Sequence, residues 1–305
     1  MTHEIILSTK KLTKKFKTVT AVQDLNICVQ RGDIFGFLGP NGSGKSTTIR
    51  MILGLIKPTS GEISIFDKPL KRNRVSLLKR IGALVEKASF YEYLSARKNL
   101  HIFASLTRSN PDSKDIDRVL DIVALLSRGD DKVKTYSQGM KQRLGVAQAL
   151  LGGPELIILD EPTAGLDPEG IKDIRRLIIQ LADRGLTVFL SSHLLHEIEQ
   201  MCTNMAIVNK GELIVQGGVT ELLRSENNIY SVKTDRPAEA AAVLRPEKWV
   251  ESLEISSGTI EVKIQEKQVP QMTRLLVQSG FQIFAVQPRR SLEDYFLSLL
   301  GTENA

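Results

Sequence analysis

Residues 39–46 read Gly39-Pro40-Asn41-Gly42-Ser43-Gly44-Lys45-Ser46, with Thr47 next, and this stretch decides how the rest of the chain is read. It fits the pattern G-x-x-x-x-G-K-[ST]. Glycines let the backbone curl until successive N–H groups face one centre, and a helix start behind the loop adds partial positive charge. Lys45 is placed to reach phosphate oxygens as a mobile cation, and the Ser46 hydroxyl to ligate Mg²⁺. The flanks agree. Residues 34–38 form an apolar run that enters the loop as a buried strand would, and residues 47–55 leave it with helical spacing. That spacing sets Ile49, Ile52 and Leu53 on one face.

Working outward, residues 155–159 form a second apolar run that delivers Asp160 and Glu161 at its end. The C-terminal ends of such strands are where open α/β sheets place ligand groups. Asp160 is suited to hold Mg²⁺ beside Ser46. Glu161, one residue on, is expected to point to the opposite face, where it could polarise an attacking water. Between the two runs, Tyr136-Ser137-Gln138-Gly139-Met140 precedes a predicted helix over 140–151, a second anion-binding helix start. Residues 187–192 make a further apolar strand that ends in His193.

Composition narrows the class without deciding it. The 305 residues exceed a usual single domain, so two domains are expected. Residues 226–305 carry 9 Lys/Arg against 11 Asp/Glu, so the net +6 comes from the first part of the chain. A basic first domain suits polyphosphate or an anionic membrane face. Its basic residues are scattered and aromatics are few, so no nucleic-acid partner is expected. No run approaches the roughly 18–20 apolar residues that cross a bilayer. The start lacks a basic region followed by an apolar core, so no secretory signal is expected. Cys28 and Cys202 form no metal-like pair, which suits a reducing compartment.

These elements, in this order over about residues 4–225, resemble the ATP-binding cassette (ABC) ATPases, in the form found in bacitracin- and lantibiotic-type exporters. The resemblance implies an α/β P-loop NTPase fold, a RecA-like core with an antiparallel β subdomain and a helical subdomain near 90–150. Residues 39–46 look like the Walker A loop and 156–160 like Walker B. Glu161 falls at the catalytic glutamate, residues 164–167 with Asp167 at the D-loop, and His193 at the switch histidine. Ser137, Gly139 and Met140 look like the signature motif, expected to hold the other subunit's nucleotide. Phe16, with Val22 beside it, falls where an aromatic stacks on adenine. Glu86 stands where the family usually has a Gln that senses Mg²⁺ and water; a carboxylate can still accept there but cannot donate. Gln138 replaces the commoner glycine.

The resemblance further implies ATP and Mg²⁺ as cofactors and a head-to-tail homodimer or heterodimer. It also implies ABC transmembrane permease subunits as partners at the cytoplasmic face of the cell membrane. The export of a drug, peptide antibiotic or lipid would follow. A soluble ABC-family ATPase acting on a ribosome or nucleic-acid machine is the alternative. The single cassette and the lack of a heptad tract favour transport.

Helices are predicted over 93–106 and 115–126, with Phe90, Tyr91 and Tyr93 as a candidate contact for a membrane partner. A hairpin is expected over 205–216, turning at Lys210-Gly211, and a closing helix at 220–224. Beyond residue 225 the pattern reads strand 229–234, helix 237–244, strand 249–255, strand 259–264, helix 269–278 and strand 281–286. That order is the ferredoxin-like split arrangement, an accessory domain over 226–305. A last helix is predicted from Ser291.

Overall fold

All five residues of the strand Ile34–Leu38 are buried. A strand apolar on both sides belongs in the middle of a parallel sheet covered on both faces. The computed structural model, which describes residues 4–86, 88–107, 112–226, 229–256 and 258–288, places it there. Its sheet runs Glu212–Gly218, Asn204–Asn209, Ile34–Leu38, Thr187–Ser192, Leu156–Leu159, Ile81–Leu84. All neighbours are parallel except Glu212–Gly218, which folds back on Asn204–Asn209. The turn between them uses Lys210 at φ 47° and Gly211 at φ 86°, the left-handed pair that suits a tight hairpin.

Register then aligns the loops. Leu38 lies opposite Ser192, Leu159 opposite Leu190, and Leu84 opposite Leu159. The chain therefore leaves four neighbouring strands along one edge, at Gly39, Asp160, His193 and Val85. An antiparallel sheet of Val19–Leu25, Ile5–Phe16, Ser60–Ile65 and Lys68–Pro69 lies against this one, with Cys28–Gln30 also on Ile5–Phe16. One core serves both sheets. Ile6, Leu7, Val29 and Ile65 pack with Phe35, Phe37 and Phe189. The Phe35 and Phe189 rings stack at 5.5 Å.

Helix ends shift from the sequence expectations for local reasons. The helix after the phosphate loop spans Lys45–Ile52, starting two residues early because Gly44, at φ 99°, turns the chain straight into it. In the helical insert, Ala96–Thr107 begins three residues late. The Tyr91 N–H is taken by Asn99 Oδ1 at 2.9 Å and the Leu94 carbonyl by the Val133 N–H at 3.0 Å, so residues 91–95 are committed across the insert. Ser113–Ile122 starts early because the Asp112 side chain caps it, accepting from the Lys114 N–H at 3.1 Å.

At the opposite end of the parallel sheet, Glu155 is flanked by Arg80 and Arg31, and Arg31 also pairs with Glu4. The hydrogen bond from Arg80, opposed by desolvation and reinforced by Arg31, holds the Glu155 carboxyl below the usual carboxylate range. A depressed carboxylate stabilises above its unfolded value, about 4.3, and that contribution is lost as pH falls through the folded value. Glu155→Gln should therefore lower stability at pH 7 by under about 1 kcal/mol, since the cluster is solvated. The loss should shrink as pH falls below about 4.3 and on through the folded value; urea unfolding across that range measures this.

Contacts divide the chain into two units, Met1–Gly218 and Val219–Ala305. The helix Val219–Glu226 begins at that division and runs one residue past the 225/226 boundary read from sequence. In the second unit, strands pair in the order Ser252–Ser256, Thr259–Lys263, Ile229–Thr234, Ile283–Pro288, all antiparallel. With helices Pro237–Leu244 and Val269–Gln278 interleaved, this is the split β-α-β-β-α-β arrangement. Its own core includes Tyr230, Val232, Ile260, Leu244, Met272 and Leu276. Two strands start later than predicted, at Ser252 and Ile283. The helix predicted from Ser291 lies outside the described residues.

Candidate nucleotide site

The loop at residues 39–44 needs glycine for space as well as for conformation. A Cβ on Gly44 would lie 2.4 Å from the Ala21 carbonyl oxygen, and one on Gly39 2.2 Å from that of Val208. The loop is thus wedged between the strand Val19–Leu25 and the end of Asn204–Asn209, and it borders a cavity of about 380 Å³. Asn41, Gly42, Gly44, Lys45, Ser46 and Thr47 line that cavity, with Ala21, Glu161, Ala164 and His193. Ser43 Oγ is buried in the loop without a hydrogen-bond partner among the described residues.

Lys45 is 6% exposed, and its ammonium donates to the Gly39 carbonyl at 2.7 Å and the Pro40 carbonyl at 3.3 Å. It also lies 3.4 Å from Glu161 Oε1. The other Glu161 oxygen sits 2.7 Å from His193 Nδ1. One carboxylate therefore links the loop lysine to the strand-end histidine. Sequence alternation does not set its direction, because the strand already ends at Leu159 and Glu161 turns at φ 51°. A non-glycine residue held there stores strain of the kind found at functional sites.

Ser191 does the holding, and the sequence reading passed over it. Fully buried, it donates to Asp160 Oδ1 at 2.5 Å and accepts the Glu161 N–H at 2.9 Å. One hydroxyl thus orients both acids. Beside it, Ser192 Oγ accepts the Leu194 N–H at 2.9 Å and bends the chain at His193. The available signal was a Ser-Ser pair closing an otherwise apolar strand.

Other predicted positions are found nearby or apart. Phe16 is 46% exposed, with the Lys14 ammonium 4.8 Å over its ring. Val22 is 1% exposed and would lie 3.2 Å from a Gly44 Cβ, so it supports the loop from behind and presents no side chain to a base. Glu86 is not among the cavity residues. It turns at φ 65° and pairs with Arg50, on the helix that begins at Lys45. Ser137 caps Gln138–Leu150 by accepting the Met140 N–H at 3.2 Å, and Asp167 caps Pro168–Asp183 through the Gly170 N–H at 3.1 Å. Ser137, Gly139, Met140 and Asp167 stand outside the cavity of their own chain.

The donor set also bears on which metal could sit here. Among the described residues no cluster of three or more His, Cys, Asp or Glu could hold an ion. A hydroxyl at Ser46 and a carboxylate at Asp160 are hard oxygen donors that need further oxygens from phosphate and water, which is how Mg²⁺ is commonly bound.

A phosphate loop and an acid pair served by one edge of a parallel sheet put the molecule in the class of P-loop nucleoside triphosphatases. The family is narrower, and comparison supplies it. The ABC transporter family model matches residues 22–164. The uncharacterized ABC transporter ATP-binding protein YhcH of Bacillus subtilis is 43% identical over 298 residues, 97% of this chain and 96% of that protein. The bacitracin transport ATP-binding protein BcrA of Bacillus licheniformis is 43% identical over 299 residues, 97% of each chain. Among solved structures, cbiO1 from Clostridium perfringens, part of the ABC transporter complex cbiONQ, matches with TM-score 0.66 and 28% identity. That match covers 73% of this chain and 92% of cbiO1. The dimeric structure of the cassette MJ0796 matches with TM-score 0.63 and 25% identity, over 70% of this chain and 99% of that one. The chain belongs to the ATP-binding proteins of ABC transporters. It binds ATP and is an ATPase.

Proposed function

We propose that this chain is the ATP-hydrolysing subunit of an exporter, paired as a dimer and coupled to separate permease subunits at the cytoplasmic face of the membrane. The observation that carries it is Glu161 bridging Lys45 and His193 on the cavity wall. Lys45 would exchange its two carbonyl partners for β- and γ-phosphate oxygens. Glu161 would take the proton from the attacking water, with His193 orienting that carboxylate and the γ-phosphate. Ser46 and the Ser191-held Asp160 would hold Mg²⁺, which when bound supplies charge neutralisation at the transferring phosphoryl group.

Ser137 and Gly139 lie outside this cavity, which supports their serving the nucleotide of a second cassette. Such an interface presents the same patch twice, so ATP would close it and hydrolysis release it. No helix among the described residues is long and apolar enough to cross a membrane. Tyr91 and Tyr93, 47% and 68% exposed and edge-to-face at 6.1 Å, suit a contact with such a subunit. Relatives named for bacitracin transport and linearmycin resistance support export of a peptide antibiotic or other drug. The second unit would be an accessory domain of the dimer.

Affinity purification of the tagged chain from its own cells, in detergent, tests the reading. A multi-spanning permease should co-purify and raise ATPase activity. Recovery with ribosomes and without a membrane protein would overturn it.

A further inference from the structure

Glu86 adds a charge to an edge that already carries Asp160 and Glu161. A carboxylate added at that edge raises its negative charge unless a cation offsets it. Arg50 follows Ser46 by four residues on one helix, so the two lie on the same face. Its guanidinium pairs with Glu86 Oε1. Glu86 is held in the left-handed region at φ 65°, a conformation a non-glycine residue keeps only with support.

Resting on the function proposed above, we propose that Arg50 is a positioning residue for hydrolysis. It neutralises Glu86 and fixes that carboxylate beside the helix that carries Ser46. The pair, not the carboxylate alone, takes the place of the neutral amide usual in this family. Both partners are exposed, Arg50 41% and Glu86 65% by side chain. An exposed pair adds little to stability. A positioning role therefore shows in turnover and in the order of the Glu86 loop, and leaves the unfolding temperature unmoved.

The test uses the full chain and four variants: Arg50→Ala, Arg50→Lys, Glu86→Gln and the Arg50→Ala/Glu86→Gln double. Arg50→Ala should lower ATP turnover about fivefold, the upper range for such a pair, with KM for ATP and thermal unfolding unchanged. Arg50→Lys should recover part of the loss. In the Glu86→Gln background, Arg50→Ala should cost nothing further. Amide hydrogen exchange over residues 81–86, measured without nucleotide, should speed up in either single variant and no more in the double. Additive losses in the double, or exchange in Arg50→Ala matching wild type, would overturn the proposal. The exchange arm does not depend on ATP, so it stands even if the wild-type chain fails to hydrolyse it. That failure would instead count against the function proposed above.

Discussion

Glu161→Gln should cut ATP turnover by roughly 10²–10⁴-fold, the usual contribution of a general base, while ATP binding persists. Glutamine keeps the shape and still accepts from His193, but it cannot take a proton from water. The substitution also removes the negative charge 3.4 Å from Lys45, so the lysine loses a competitor to phosphate. ATP-loaded pairs should accumulate, visible by light scattering after gel filtration with Mg-ATP. Phosphate release from a single turnover measures the chemical loss directly. Near-normal release would place the base elsewhere.

Lys45→Ala should weaken ATP binding roughly 10²-fold, since hydrogen bonds to charged groups contribute about 1.5–3 kcal/mol each. The side chain is nearly enclosed and anchors two carbonyls of its own loop, so truncation strips the loop of its cation and of internal support. Lys45→Arg is the informative control, because a planar fork does not replace a compact ammonium in a site this closed. It should restore charge and recover little affinity. Titration with a fluorescent ATP analogue reads both variants; unchanged affinity in Lys45→Ala would remove the loop from the binding site.

Most of this was legible because the site is built from strand ends. Apolar runs of five or six residues with Gly39, Asp160 or His193 at the end announce both the sheet and its working edge. Periodicity also carried the second unit, whose two helices were read with their observed bounds. What stayed hidden depends on partners far along the chain. Ser191 matters only because register brings it beside Asp160, and Arg50 only because the loop after Ile81–Leu84 turns back toward it. Val22 looked like a base contact by position, whereas packing against the loop buries it. Helix starts slipped where a left-handed glycine, a capping side chain or a cross-insert hydrogen bond outweighed spacing, as at Gly44, Asp112 and Leu94.

The neighbours of Ile34–Leu38 in its sheet are Thr187–Ser192 and Asn204–Asn209. Since translation delivers a chain from its amino end, this strand leaves the ribosome about 150 residues ahead of anything that can flank it. The Gly211 N–H then closes on the Ser43 carbonyl at 3.1 Å, a stitch made later still. Nucleotide capture thus becomes a late event in biogenesis, and nascent fragments carry an open apolar ribbon that invites chaperones. Stalled chains released at residue 180 should ignore a fluorescent ATP analogue, whereas those released at 218 should take it up. Uptake by the shorter fragments would mean that the cradle assembles without its flanking strands.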